Sequence, residues 1–320
     1  MATSQKPGLW AQTPPAIFPP ILGLFGIGLA WRRATEVFPV PVQIGELILG
    51  AVSLLFVFAV IAYMAKFLRR PTVMADDLRI LPGRAGLSAA SVAAMLFAAT
   101  LVPYSFCAAK WALMLALVAQ AIVAFVIVVV LAPAPLAQRR FTAVWHLTFV
   151  GFVVSASAAV PLGARIMTEV ILVLTIPAAI TIWVGHAYLM SKSPVPAPLR
   201  PTLAVHLAPA CVFGIAAGLL GYIGLATLFG WMAIGGMAVL LARARYLTAA
   251  GFSPLWGAFT FPFAAFVNLM LILGAGSGLM RVIGGIALIA GTLVIPVIAY
   301  KVMKMWAAGK LAAVTNAARL

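Results

Sequence analysis

The stretch LSAASVAAMLFAATLVPYSFCAAKWALMLALVAQAIVAFVIVVVLAPAPLAQRR (87–140) holds two long apolar runs, at 87–109 and 111–132, followed by a proline-rich break and two arginines. A helix rises 1.5 Å per residue, so about 20 apolar residues cross a hydrocarbon layer about 30 Å thick. Two such runs joined by a short return therefore read as one helical hairpin through a bilayer, where only helices or closed barrels satisfy the backbone. Outward from this unit the pattern repeats at 16–33, 42–68, 142–162, 166–190, 202–221, 223–245, 253–275 and 279–304, which makes ten spans. Turn chemistry marks the longer breaks: RRPTVMADDLRILPGR (69–84), APAPLAQRR (132–140), SKSPVPAPLRP (191–201) and LTAAG (247–251). The expected fold is an all-α polytopic membrane protein.

Composition agrees. Of 320 residues, 65% are hydrophobic and 8% charged, where a soluble domain carries roughly a quarter charged residues. The formal charge of +16 comes from 21 Lys and Arg against five acids. In a membrane protein such a bias reports topology before it reports nucleic acid, because Lys and Arg collect in cytoplasmic loops. Arg32, Arg33, Lys110, Arg165 and Arg281 fall on one side of the ten-span arrangement, and the other 16, from Lys6 to Arg319, fall on the opposite one. Both termini are thus expected in the cytoplasm, with no nucleic-acid partner. The division is a short N-terminus (1–15), a transmembrane domain (16–306) and a basic tail (307–320) whose AYKVMKMW approach suggests an interfacial anchor. The N-terminus lacks an apolar stretch followed by a small-residue cleavage site, so no removable signal peptide is expected. Cys107 and Cys211 read as buried small hydrophobes.

The spans pair into five hairpins of one orientation, a parallel rather than an inverted repetition. AVWHL (143–147) and LAVHL (203–207) echo one another and place His146 and His206 near the starts of the fifth and seventh spans. Proline supplies the clearer regularity. Every odd span carries one (Pro19 and Pro20, Pro103, Pro161, Pro209, Pro262), whereas among even spans only the sixth (Pro177) and tenth (Pro296) do. Proline removes a backbone donor and bends a helix, and the freed carbonyl is tolerated at membrane depth beside protein or a water-filled cavity. The odd spans are therefore expected inside, unless the prolines only follow their general abundance in membrane helices. Gly23 and Gly26 in ILGLFGIGLAW remove side chains from the first span, which either lets helices pack closely or widens a pore.

No nucleophile–base pair, metal cluster or phosphate loop is visible, so neither an enzyme nor a cofactor is expected, and no metal site. His146, His186 and His206 stand forty and twenty residues apart with no acid or thiol at ligand spacing. Glu169 follows Arg165 at a spacing that pairs them on one helix face. No acid falls at mid-membrane, where a proton pump or cation channel uses one; an anion path suits the chain better, with His146 and His206 as candidate attracting groups near its mouth. In FSPLWGAFTFPFAAFVNLM (252–270), Phe259, Phe261, Phe263 and Phe266 crowd around Pro262. A ring placed there could close a pore sterically and by dewetting, or simply pack.

FPPILGLFGIGLAWRRA (18–34), AVWHLTFVGFVV (143–154), LRPTLAVHLAPA (199–210) and FSPLWGAFTFPFAAF (252–266) resemble the tellurite-resistance and dicarboxylate transporter family, which takes in the plant slow anion channels. The resemblance implies five hairpins in pseudo-fivefold symmetry, odd helices lining a central pore, even ones outside, and a homotrimer embedded in lipid with one pore per subunit. It implies that a ninth-helix phenylalanine occludes the pore. Phe261, just before Pro262, matches it, with Phe259 and Phe263 as rivals. Pro20, Gly23, Gly26, Pro103, Pro161, Pro209 and Pro262 are the pore-kink or pore-lining candidates. The expected function is an inner-membrane channel for small anions; the alternative is a secondary transporter of C4-dicarboxylates or of oxyanions such as tellurite.

Overall fold

A computed structural model describes residues 10–135 and 138–318; Lys6 and Arg319 lie outside the described residues. Within these the chain is helical, with no strand. Nine described helices are long and apolar enough to cross a membrane: α1 (Pro15–Ala34), α2 (Val42–Arg69), α3 (Leu81–Leu101), α4 (Phe106–Leu131), α6 (Arg165–Lys192), α7 (Ala197–Leu219), α8 (Ile223–Ala242), α9 (Pro254–Gly274) and α10 (Gly278–Ala307). Between α4 and α6 lies the shorter apolar helix α5 (His146–Ala159).

Burial sorts these helices into two sets. The most apolar windows of α1, α3, α7 and α9 are 72–78% buried, whereas those of α2, α4, α6, α8 and α10 are 22–39% buried and expose large side chains such as Leu54, Phe125, Val173 and Leu293. Nearly every residue of α5 is buried, which places it with the inner set. The inner helices also close on themselves: α1 packs on α3, α3 on α5, α5 on α7, α7 on α9, and α9 back on α1. The α1–α9 seam is the tightest. A Cβ on Gly23 would stand 2.3 Å from Thr260 Cβ, and one on Gly26 would stand 2.6 Å from Ala264 Cβ. Of the two roles open to these glycines, close packing is the one both perform.

Two span boundaries differ from expectation. The predicted run 87–109 ends at Leu101, and the return lies at 102–105, where Ser105 caps α4 by accepting from Ala108 N at 3.2 Å. Proline disfavours helix at the residue before it, so Pro103 terminates α3 instead of bending it. Pro161 likewise lies in the turn after α5. There Ala164 N reaches Ala159 O at 2.8 Å around Gly163 in the left-handed region (φ +81°), a glycine C-cap. Pro209 and Pro262 do sit within α7 and α9. Cys211 is buried as expected, but Cys107 is exposed, because it opens the outward-facing α4.

Helix α5 is irregular for a tertiary reason. A π turn (His146–Val150) passes into a 3-10 turn (Gly151–Ser155) before one α-helical turn. The buried Gln120 side chain of α4 donates to Leu147 O at 2.9 Å and to Thr148 O at 2.7 Å, so carbonyls that the altered winding leaves short of donors are satisfied from the neighbouring helix. Gly151 permits the approach, since a Cβ there would meet Val92 Cγ2 at 2.7 Å.

At the basic face, Lys66 of α2 and Asp77 of the short helix Val73–Arg79 form a fully buried ion pair of 3.0 Å. Tyr63 donates to the same carboxylate at 3.1 Å, Lys66 Nζ to Thr13 O at 3.2 Å, and Ala318 N to Asp77 Oδ1 at 2.8 Å. Both ends of the described chain are thereby tied to one loop. The basic tail folds back through the turn Leu311–Val314, with Leu311 fully buried.

Candidate functional site

Three cavities succeed one another through the inner ring. The largest, about 180 Å³, opens at the face of Arg32 and Arg33 and is lined by all five inner helices or the turns that follow them, among them Gly26, Ala99, Ser157, Ile215 and Asn268. Pro103 and Pro161 line it from their turns. A second cavity of about 20 Å³ lies between His146, Val150, Pro209 and Val212, and a third of about 30 Å³ reaches the basic face among Ala16, Pro19, Ala85, Val144 and Thr202. Leu147 and Val205 border both small cavities.

Phe261 borders the first cavity and the second, and is 6% exposed. Its position is fixed from two sides. The Thr260 hydroxyl sits 3.0 Å from Pro19 O and 2.7 Å from Gly257 O, and Asn268 Nδ2 donates to Gly26 O at 2.8 Å and to Ala264 O at 2.9 Å. These bonds clamp the α1–α9 seam above and below the ring, and Pro262 follows it directly. The neighbouring rings go elsewhere. Phe259 packs edge-on against Trp256 at 5.7 Å, and Phe263 is half-buried beside the core. Helical geometry explains the split, since two residues along a helix lie on nearly opposite faces. Pro20 is buried against Gly257 at the start of the same seam.

At the larger cavity's mouth, Arg32 holds Glu46 through two bonds of 2.7 and 2.8 Å and also donates to Ala99 O and Thr100 O, both at 3.3 Å. The guanidinium is thus spent on structure, joining α1, α2 and α3. Arg33 differs. Its Nε is buried with no hydrogen-bond partner, and its nearest acid, Glu36, is 3.9 Å away with a side chain 67% exposed. A guanidinium held so loosely presents charge to the cavity it lines. At the same end Tyr104, in the turn between α3 and α4, donates to Glu46, and that bond to a carboxylate raises its pKa above the ordinary phenol value.

The sequence placed His146 and His206 each near the start of an odd span, and the structure brings the two together and adds a third. His146 Nε2 lies 3.0 Å from His206 Nδ1, and His206 Nε2 lies 2.6 Å from His186 Nδ1, so every histidine of the chain joins one row across α5, α7 and α6, with His146 and His186 buried and His206 partly so. Trp183 Nε1 donates to His206 O at 3.2 Å and its ring flanks His146 at 5.5 Å. His146 lines the small cavity; His206 and His186 stand behind it. His186, Gln120 and Asn268 had no assigned part in the sequence reading, although Gln120 and Asn268 are amides within otherwise apolar spans, which in lipid is itself a signal. Among the described residues no cluster of three or more ligating side chains could hold a metal.

The family model described as voltage-dependent anion channel matches residues 12–303, from the start of α1 to the last turns of α10. No curated protein matches the chain.

Proposed function

The chain belongs to the voltage-dependent anion channel family, and from that membership we propose that it is a channel passing small anions along the axis of its inner ring, with Phe261 as the gate. Family membership carries the broader statement, that this is a multi-pass membrane protein of a family whose members are anion channels or transporters rather than enzymes. The observation supporting the narrower one is that a single ring borders the cavities on both sides of it while its rivals Phe259 and Phe263 border neither. A ring filling a path lined by valine, alanine and proline blocks hydrated ions by bulk and by dewetting. Arg33 at the wider mouth and the absence of any acid among the residues lining the two inner cavities favour anions over cations.

In this reading α5 is a short tenth span, the ten helices form five like-oriented hairpins about a pseudo-fivefold axis, and 16–306 is one channel domain. The charge bias supports an inner-membrane orientation with the basic face and both termini cytoplasmic, including the N-terminal segment 1–15 and the tail 307–320. The lipid-facing outer set of helices is the surface through which a homotrimer would form. The test is current through reconstituted Phe261→Ala protein in a planar bilayer with chloride or nitrate. Anion current well above wild type supports the gate; unchanged current in a well-folded variant refutes it. Saturable uptake without single-channel steps would instead indicate the carrier.

A further inference from the structure

The cavity on the basic side of Phe261 is lined, besides that ring, by aliphatic residues, glycine and proline, and among the described residues His146 contributes its only polar side chain. His146 is 2% exposed, and of its ring nitrogens Nε2 meets His206 whereas Nδ1 is buried with no partner. A buried polar atom left unpaired is costly and calls for a reason.

The row of rings restricts what that atom can be. Each of the two ring-to-ring contacts needs one proton, and three neutral imidazoles carry three. Only two neutral arrangements satisfy both contacts. With the protons on every Nε2, His146 Nδ1 is a bare acceptor; with the protons on every Nδ1, it is a donor. A fourth proton can charge any one of the three rings, and in each case both contacts persist and both free ends, His146 Nδ1 and His186 Nε2, donate. Converting the first neutral form to the second takes a proton in at His146 Nδ1, passes one from His146 Nε2 to His206 Nδ1 and one from His206 Nε2 to His186 Nδ1, and releases one from His186 Nε2.

Resting on the channel reading above, we infer that His146 Nδ1–H is the inner anion-binding donor of the pore and that the histidine row binds a proton together with the anion. An anion leaving the vestibule must shed water, and the wall of the cavity directly beyond the gate offers it this one polar side-chain atom. A bare nitrogen repels it, and the four-proton row supplies both a hydrogen bond and a countercharge spread over three rings. Nothing nearby competes for that charge. On α6, Glu169 pairs with Arg165 at the far end and Lys192 lies over Tyr188; on α7, Arg200 stacks on Tyr246 and Cys211 is buried; on α3, Arg84 is bonded to Leu78 O and Arg79 O; on α4, Cys107 and Lys110 are exposed in its opening turns; α5 and α9 carry no charge. At about 20 Å³ the closed cavity holds at most one water, so the site becomes available to an anion when the ring moves.

The test uses Phe261→Ala protein carrying a purification tag free of histidine, so that ¹⁵N-histidine labelling reports only these three rings. Nitrate is expected to shift the ring ¹⁵N signals of His146, and nitrate current is expected to rise at least about threefold from about pH 8 to about pH 5.5. His146→Leu in that background should abolish the rise, and His206→Leu, which lines neither cavity, should flatten it. Ring signals untouched by nitrate, or a rise that survives His146→Leu, overturn the inference. Phe261→Ala protein that passes no anion refutes the gate reading, and the ¹⁵N titration still decides the histidine site.

Discussion

The two ends of the helical bundle differ in kind. At the Arg32 end the axial space is about 180 Å³ and carries Arg33, Glu36, Ser157 and Asn268 on its wall; towards the basic face it narrows to about 20 and 30 Å³ among alanine, valine, leucine and proline. The ion pairs differ in the same direction. Arg32–Glu46 is partly exposed, 19% and 27%, whereas Lys66–Asp77 is sealed at 0% on both sides. One end is wide and carries charged side chains, the other is narrow and apolar apart from His146 and Thr202, and Phe261 stands at the border. For the proposed channel, the contrast would put the resistance of the path in its narrow half and selectivity at entry in its wide half.

The strongest way to break the contrast is to remove the border. Phe261→Ala joins the first two cavities and should raise anion current by about tenfold or more, while Phe263→Ala, off the axis, should leave it unchanged in the same bilayer recordings. Next is the sealed pair. Asp77→Asn strands a buried ammonium and should cost about 3–5 kcal/mol, whereas Glu46→Gln at the partly exposed pair should cost about 1 kcal/mol or less; thermal unfolding in detergent compares them. The double variant Lys66→Met/Asp77→Leu should recover much of the loss, since an apolar replacement of a buried pair is often neutral. Gly26→Val pushes against Ala264 in the seam beside the gate and should destabilise by about 1–3 kcal/mol by the same measurement. The smallest effect belongs to the wet end. Arg33→Gln should lower current about two- to threefold at low ionic strength and much less in high salt, because screening shortens the reach of a charge at a solvent-filled mouth to about 10 Å at 0.1 M.

Much of this was legible in the chain because the bilayer leaves few alternatives. Runs of apolar residues, loop charges and the glycine and proline of α1, α7 and α9 pointed to helices and to which ones lie inside. The Arg165–Glu169 pair followed from spacing alone, and the structure closes it at 3.1 Å. What was not legible depends on neighbours distant in sequence. The winding of α5 answers to Gln120 of another helix, and the row of histidines forms because three helix starts or ends converge. Asp77 read as a loop acid, yet the fold buries it against Lys66 and Ala318. Among Phe259, Phe261 and Phe263, less than two turns apart, only the position of the axis selects one ring.

The α1–α9 seam sets an order of assembly. Thr260 reaches Pro19, and Asn268 reaches Gly26, across 241 and 242 residues of chain. Until the ninth helix has been synthesised, α1 offers unfilled glycine notches to lipid, and the ring is an open arc with no conduit to leak through. In the proposed channel, permeability would thus be conferred only in the last stage of synthesis, when the proposed gate arrives on the same helix that completes the wall.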